Sequence, residues 1–259
     1  MNEIMKSLEF IGLRGLPIVQ PGDCISKLII NNARSHKIQF FNNDILIIAQ
    51  KIISKSESRL IDLRTINPGK KAVFISKITM KDPRLIQLIL MESEEILRMR
   101  KGLIITRHKN GFVCANAGID HSNTVADDIE LNMVLLLPED PDKSARMIRD
   151  QISGETGKKV GVLIIDSHGR AWRNGTVGTT IGIAGVPGVV DLRGHEDMFG
   201  YKLKSTFIAA ADELAAGASL LMGQANEQIP VVIARGFPYP LRESKLSELI
   251  RIKKNDLFK

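Results

Sequence analysis

Short apolar runs that end in polar loops recur along this chain and limit the folds open to it. DILIIAQKII begins at Asp44, VGVLIID covers residues 160–166, and PVVIAR begins at Pro230. Uninterrupted runs of about four to eight apolar, β-branched residues between turns are typical of strands buried on both faces. The sequence therefore predicts a sheet whose strands deliver polar side chains, such as Asp166, where they end.

The rest of the chain predicts strands and helices without regular alternation. We expect further strands at residues 8–13, 103–107, 111–116 and 133–137. We expect one helix after an Asp23 cap and another from Asp82 to Lys101. Further helices are expected at residues 138–157, 207–222 and 241–252. Residues 167–201 are rich in glycine and predict an irregular region. The mixture favours an α+β fold with mixed sheets over a doubly wound sheet.

Charge and composition limit the partners. The net charge of +7 makes an anionic partner plausible. Nucleic acid is not expected, because aromatic residues make up 5% of the chain and its one tryptophan and two tyrosines stand apart from the basic runs. No run approaches the roughly 18 apolar residues of a membrane span. With only Cys24 and Cys114 and no CxxC pair, the sequence predicts a cytoplasmic protein.

Familiar active-site motifs fail on their spacing. SGETGKK resembles a phosphate loop, but Ile152 stands where the first glycine belongs and Lys159 stands where Ser or Thr belongs. His195-Glu196 opens like a zinc-protease motif, but Phe199 takes the place of the second histidine. The five histidines stand singly, and each is expected to be a surface or hydrogen-bonded residue.

Three loops that follow apolar segments concentrate polar side chains. They are AGIDHSN, DSHGRAWRNG and MGQANEQIP. Carboxylate and hydroxyl oxygens beside arginines, as at Asp166, Ser167, Arg170 and Arg173, are the groups that bind a divalent cation bridging phosphates. On composition alone, Asx turns with arginine–carboxylate pairs explain the same loops equally well.

Longer strings separate these two interpretations. In chain order they are GLPIVQPGD, DILIIAQKIISKSE, GFVCANAGIDHSN, LLLPEDPDKSARMIR, VGVLIIDSHGRAWRNGTVG, DLRGHEDMFGYKL and ADELAAGASLLMGQA. Together they closely resemble the coenzyme F420-0:L-glutamate ligase family from about Gly15 to Gly236. The resemblance implies a GTP-dependent ligase that adds L-glutamate to the F420-0 precursor, with Mg²⁺ or Mn²⁺ at two sites, stimulation by K⁺, and an intertwined homodimer of two-lobed α+β protomers.

The resemblance also implies site residues. It places one divalent metal on Asp120 and Asp166, and a second on Ser167 and Gln224. It places nucleotide contacts at Leu16, Pro17, Ile18, Val19, Gln50, Lys51, Lys55, Asn123, Met222, Gly223, Gln224, Ala225, Asn226, Glu227, Gln228 and Ile229. Some relatives carry Glu at the position of Gln224, and a neutral amide oxygen holds a cation less tightly than a carboxylate does.

A mechanism follows from the implied activity. A free carboxylate has a poor leaving group, so we expect GTP to convert it to an acyl phosphate before the glutamate amine attacks. Lys55, Arg170 and Arg173 are the candidates for holding phosphate or carboxylate oxygens. The alternatives are a metal-dependent phosphohydrolase and a noncatalytic binding protein for an anionic cofactor. We expect one ligase domain over residues 1–240, built of two intertwined subdomains, and a basic tail over residues 241–259.

Overall fold

The three apolar runs become strands of one sheet. The computed structural model describes residues 6–120 and 132–257. Its strands are β1 Glu9–Leu13, β2 Ile45–Ala49, β3 Leu60–Asp62, β4 Ser93–Arg100, β5 Leu103–His108, β6 Val113–Ala115, β7 Met133–Leu135, β8 Gly161–Arg170, β9 Arg173–Ala184, β10 Val190–Asp191, β11 Phe207–Ile208 and β12 Val231–Arg235. Its α-helices are α1 Ile25–Ser35, α2 Gln50–Ser56, α3 Lys70–Thr79, α4 Pro83–Met91, α5 Pro141–Thr156 and α6 Ala210–Met222.

The main sheet has the strand order β1-β12-β2-β8-β9. β2 and β8 run parallel, with Ala49 opposite Ile165, and the other three pairs are antiparallel. A three-stranded antiparallel sheet (β4-β5-β6) and the strand pairs β3-β7 and β10-β11 lie outside it. This arrangement confirms the predicted α+β class with mixed sheets.

Both faces of the main sheet are covered by helices, which explains why its strands are apolar throughout. Leu46 and Ile48 belong to a core that includes residues of α1 and α5. Ile45 and Ile47 point the other way, into a core that includes residues of α6. Side chains alternate between the two faces of a strand, so a strand covered on both sides needs an apolar residue at every position.

A third core lies among α3, α4, β5 and β7. Ile75 of α3, Ile86 and Ile89 of α4, and Ile104 of β5 are buried in it, together with Val134 of β7. Buried charges join it to the rest of the protein. The Glu92 carboxylate, after α4, accepts from Arg59 Nη2 at 2.8 Å and from Lys109 Nζ at 2.9 Å.

A bulge in β9 is stabilised from both faces of the main sheet. Its register with β8 shifts where Ile164 pairs with Gly182 and Ile165 pairs with Thr180. On one side of the bulge the Thr180 N–H donates to Asp212 of α6 at 2.9 Å, and on the other the Ile183 N–H donates to Asp142 of α5 at 2.8 Å. Burial raises the pKa of both carboxyl groups. Carboxylates from the two helices thereby accept hydrogen bonds from backbone N–H groups next to the bulge, where the register between β8 and β9 shifts.

The predicted helix from Asp82 to Lys101 is wrong in its second half. Asp82 does cap α4, since its carboxylate accepts from the Arg84 N–H at 2.7 Å. The helix ends at Met91, and Ser93–Arg100 is strand β4. Glu92 is held by Arg59 and Lys109, and Gly102, with a φ of 80°, turns the chain back into β5. These contacts outweigh the helical spacing of the apolar residues.

Three other predicted elements also differ. Asp23 does not cap α1, because Cys24 is the N-cap residue and the Asp23 carboxylate accepts from the Gln20 N–H. The helix predicted after residue 207 begins only at Ala210, since Phe207–Ile208 is strand β11. The region predicted as irregular contains the end of β8 and all of β9. The prediction that this strand ends at Asp166 is therefore wrong, because pairing with β9 continues β8 to Arg170.

The predicted helix at residues 241–252 is absent. This segment contains only one short 3₁₀ turn, Leu246–Glu248. Leu246 is buried, and its N–H donates to the Asp142 carboxylate at 3.1 Å. Ser244 Oγ donates to the Val186 carbonyl. The segment therefore packs on the main sheet region, and the domain boundary at residue 240 stays a prediction.

The helices within residues 6–120 and 132–257 include none that is long and apolar enough to cross a membrane.

The packing of α5 on β9 depends on the absence of a side chain at Gly182. A Cβ there would lie 2.6 Å from the Pro141 carbonyl oxygen. We predict that Gly182→Ala lowers the free energy of unfolding by about 1–3 kcal/mol, measured by denaturant titration. The matched control is Gly154→Ala in α5, where a Cβ meets nothing within 4 Å and helix propensity rises. Equal stability of the two variants would contradict this packing.

Candidate active site

A cavity of about 760 Å³ opens where the pairing of β2 with β8 ends. Because these strands are parallel, Gln50 and Asp166 both follow the last paired residues, Ala49 and Ile165, and Asp166 stays paired with β9. Crevices outside the carboxyl ends of parallel strands are common ligand sites. The lining residues are Leu16, Pro17, Ile18, Val19, Ala49, Gln50, Lys51, Ile52, Lys55, Ile165, Asp166, Ser167, Ser219, Met222, Gly223, Gln224, Ala225, Asn226, Gln228, Ile229 and Pro230.

Most of the residues that the sequence singled out meet in this cavity, although they come from distant parts of the chain. Ala49, Ile52, Ile165, Ser219 and Pro230 also line it and were not predicted. Four of these five are adjacent in sequence to a predicted residue, and that adjacency could have indicated them. Ser219 lies a full turn before the end of α6, and only its position on that helix could have suggested it.

Some predicted residues do not line the cavity. Arg170 and Arg173 lie at the exposed end of the β8–β9 hairpin, where Arg170 Nη2 donates to the Asn174 carbonyl at 3.4 Å. Their catalytic role stays a prediction. Glu227 organises the loop after α6, because its Oε2 accepts from the Ala225 N–H at 2.9 Å. Asn123 lies outside the described residues.

Asp120 joins the cavity through an ion pair. Its Oδ2 lies 2.8 Å from Lys51 Nζ, and Lys51 lines the cavity in the first turn of α2. The Asp120 backbone is fixed by reciprocal hydrogen bonds with Leu135 of β7. The ion pair therefore places the Asp120 carboxylate at the same cavity as Asp166.

Two lysines give the cavity positive charge. Lys55 lies one helical turn after Lys51 on α2, and its pKa is lowered by burial first and by the charge of Lys51 second. No carboxylate among the described residues forms an ion pair with Lys55. A partly buried ammonium of this kind is a favourable contact for an anionic ligand.

Gln50 lines the cavity although it is nearly buried. The residue is 2% exposed, and its Oε1 accepts from Ser54 Oγ at 2.8 Å within α2.

Asp166 and Ser167 present oxygen atoms on opposite faces of β8. Ser167 pairs with Gly178, which lies under α6, whereas Asp166 lies on the face of His168. The Asp166 side chain is 18% exposed, and its Oδ2 lies 3.1 Å from His168 Nε2. Burial raises the pKa of the nearby Cys114 thiol to about 12, with a further contribution from the Asp166 charge. Cys114 is therefore an inert thiol.

The oxygen donors suit a hard divalent cation. Within the described ranges no three His, Cys, Asp or Glu side chains cluster as an ion site. The cavity instead offers the Asp166 carboxylate, the Ser167 hydroxyl and the Gln224 amide, with Asp120 held alongside by an ammonium. Mg²⁺ is commonly bound by one or two carboxylates and completed by waters and substrate phosphates. Because Asp166 and Ser167 lie on opposite faces of β8, the Asp166 carboxylate with Asp120 beside it fits one such ion, and the Ser167 hydroxyl with the Gln224 amide offers oxygens for another.

Fold and cavity together define an α+β protein with a largely apolar crevice at a parallel strand pair, into which two lysines and Asp166 bring charge. The chain matches the F420-0:Gamma-glutamyl ligase family over residues 14–236. A coenzyme F420:L-glutamate ligase of Methanocaldococcus jannaschii is 44% identical over 256 residues, 98% of each chain. One of Methanococcus maripaludis is 44% identical over 254 residues, 97% of each chain. One of Methanothermobacter thermautotrophicus is 42% identical over 254 residues, 97% of this chain and 99% of its own. This chain belongs to the F420-0:gamma-glutamyl ligase family.

The charge coupling between the two lysines can be measured. We predict that Lys51→Met raises the pKa of Lys55, because it removes the neighbouring positive charge. The measurement is the pH dependence of lysine acetylation, followed by mass spectrometry at single residues. Lys81 is the internal control, since burial alone lowers its pKa. An unchanged Lys55 pKa would mean that the two ammonium groups do not interact.

Proposed function

We propose that this protein is a GTP-dependent ligase that joins L-glutamate to the F420-0 precursor through an amide bond, and adds later residues through γ-linkages. Family membership and the names of the full-length relatives support the ligase activity. The single structural observation that carries the proposal is the meeting of Lys51, Lys55, Asp166 and Ser167 in one cavity. That combination suits a triphosphate accompanied by a divalent cation.

The chemistry of each lining residue suggests whether it contacts the phosphates, the nucleoside or a metal ion. Lys55 is unpaired with any described carboxylate and is placed to bind phosphate oxygens. The Leu16–Val19 turn and the loop of residues 222–229 offer apolar and backbone contacts to the nucleoside. Asp120 and Asp166 would hold one Mg²⁺ or Mn²⁺, and Ser167 and Gln224 a second. When bound, these ions neutralise phosphate charge during transfer.

Activation of the acceptor explains why a triphosphate is needed. An oxygen of the acceptor carboxylate attacks the γ-phosphorus, and the bond from that phosphorus to the β–γ bridging oxygen breaks, so GDP leaves and an acyl phosphate forms. The glutamate amine then attacks the acyl carbon, loses a proton and expels inorganic phosphate. Lysines beside the phosphates lower the electrostatic cost of both steps.

The proposal also covers the oligomeric state, the response to K⁺ and the location of the protein in the cell. Trp172, Phe199 and Leu220 are each more than 80% exposed, and large apolar side chains of this kind are what a second copy would cover. We therefore propose a homodimer. Stimulation by K⁺ and a cytoplasmic location belong to the same proposal, and Cys24 and Cys114 are free thiols, as a reducing compartment favours.

Mass spectrometry of the F420-0 precursor, incubated with protein, GTP, Mn²⁺ and L-glutamate, tests the proposal. We expect a product heavier by one or more glutamyl residues, formed together with GDP and phosphate. We expect Asp166→Ala to abolish this product with its thermal unfolding unchanged within a few degrees. The matched control is Asp150→Ala, since Asp150 lies on the surface of α5 with a 65% exposed side chain.

Two outcomes would contradict the proposal. GTP cleavage that proceeds equally well without glutamate would indicate a phosphohydrolase. GTP or precursor binding without turnover, weakened by salt, would indicate a noncatalytic binding protein. Parallel reactions with ATP decide the nucleotide preference, and the product masses give the number of glutamates added.

A further inference from the structure

His168 is a buried polar residue that directly contacts the site but has no role in the scheme above. It follows Asp166 by two positions on β8, so both side chains lie on one face of the strand. Its Nε2 lies 3.1 Å from Asp166 Oδ2. An ionised carboxylate can only accept a hydrogen bond, so the hydrogen is assigned to Nε2.

We propose that His168 is a positioning residue that fixes the Asp166 carboxylate for a divalent cation. This inference rests on the proposed function, since it assumes that Asp166 binds the ion. The carboxylate torsion of Asp is broad and weakly restrained by itself. A hydrogen bond from Nε2 to Oδ2 restrains it and leaves Oδ1 for the ion. Hydrogen bonds to metal-binding carboxylates commonly change metal affinity by about 10- to 100-fold.

The His168 ring is itself held in place. It is 8% exposed and packs against Phe112, with ring centroids 5.4 Å apart. The ring of His108 stacks on Phe112 with centroids 4.9 Å apart and planes 2° from parallel. Phe112 and His108 lie outside the main sheet, at the connection between β5 and β6. Aromatic contacts of this kind restrict ring rotation, so the donor atom stays directed at Asp166.

Three variants separate hydrogen bonding from packing. His168→Phe keeps a flat ring against Phe112 and removes the donor. His168→Gln restores an N–H donor at a similar reach. His108→Phe makes the same change as His168→Phe on the other neighbour of Phe112, at a fully buried residue with no contact to Asp166.

The measurement is Mn²⁺ binding to each purified full-length variant without nucleotide, followed by the electron paramagnetic resonance signal of free Mn²⁺. Unfolding temperatures are recorded alongside. We expect His168→Phe to weaken Mn²⁺ binding about tenfold, His168→Gln to recover most of that loss, and His108→Phe to bind like the unchanged protein. Asp166→Asn is included and is expected to lose this binding.

Each contrary result has a distinct meaning. Unchanged Mn²⁺ affinity in His168→Phe, with affinity lost in Asp166→Asn, overturns the positioning role and leaves the proposed function standing. An equal loss in His108→Phe also overturns it, because packing would then be the cause. Unchanged affinity in Asp166→Asn overturns both the positioning role and the proposed ion site. Formation of glutamylated product by the unchanged protein is measured separately and tests the ligase activity itself.

Discussion

The parallel pairing of β2 with β8 is the constraint on which the site depends. Every other pair in the main sheet is antiparallel, so this is the one place in it where two neighbouring strands run in the same direction out of their shared pairing. The register that sets Ala49 opposite Ile165 brings α2, with Lys51 and Lys55, next to Asp166 and Ser167. A register slip would send these side chains to the other face.

Residues outside the main sheet contribute to the same cavity. Asp120, fixed by its hydrogen bonds with Leu135, reaches Lys51, and Phe112, in the connection between β5 and β6, packs against His168. The buried Glu92 carboxylate accepts from Arg59, just after α2, and from Lys109, just after β5. Removing either partner would leave buried charge uncompensated, so these contacts favour the observed placement of β5 relative to α2. The cavity therefore depends on contacts made inside and outside the main sheet.

The sequence predicted what local pattern controls. The continuous apolar runs located β2, β8 and β12, and placed Asp166 at the end of its run. The sequence-based prediction failed where contacts between residues far apart in the chain determine the local structure. Helical spacing continued through Glu92, but that residue is held by Arg59 and Lys109, and the chain turns into β4. The spacing of apolar residues could not show that β2 and β8 pair in parallel. Nor could it show that the segment at Leu16 and the loop at Gln224 line the same cavity. Resemblance to a family supplied those residues, and Ser219 was missed by both.

We propose that a cation on Asp166 holds a triphosphate in the cavity that opens where the pairing of β2 with β8 ends. Anomalous scattering from Mn²⁺, in crystals grown with Mn²⁺ and GTP, shows where the ion lies. We expect an anomalous peak within bonding distance of an Asp166 oxygen, with nucleotide phosphates beside it and beside Lys55. Nucleotide bound outside this cavity, or an ion in the cavity that does not touch Asp166, would contradict it.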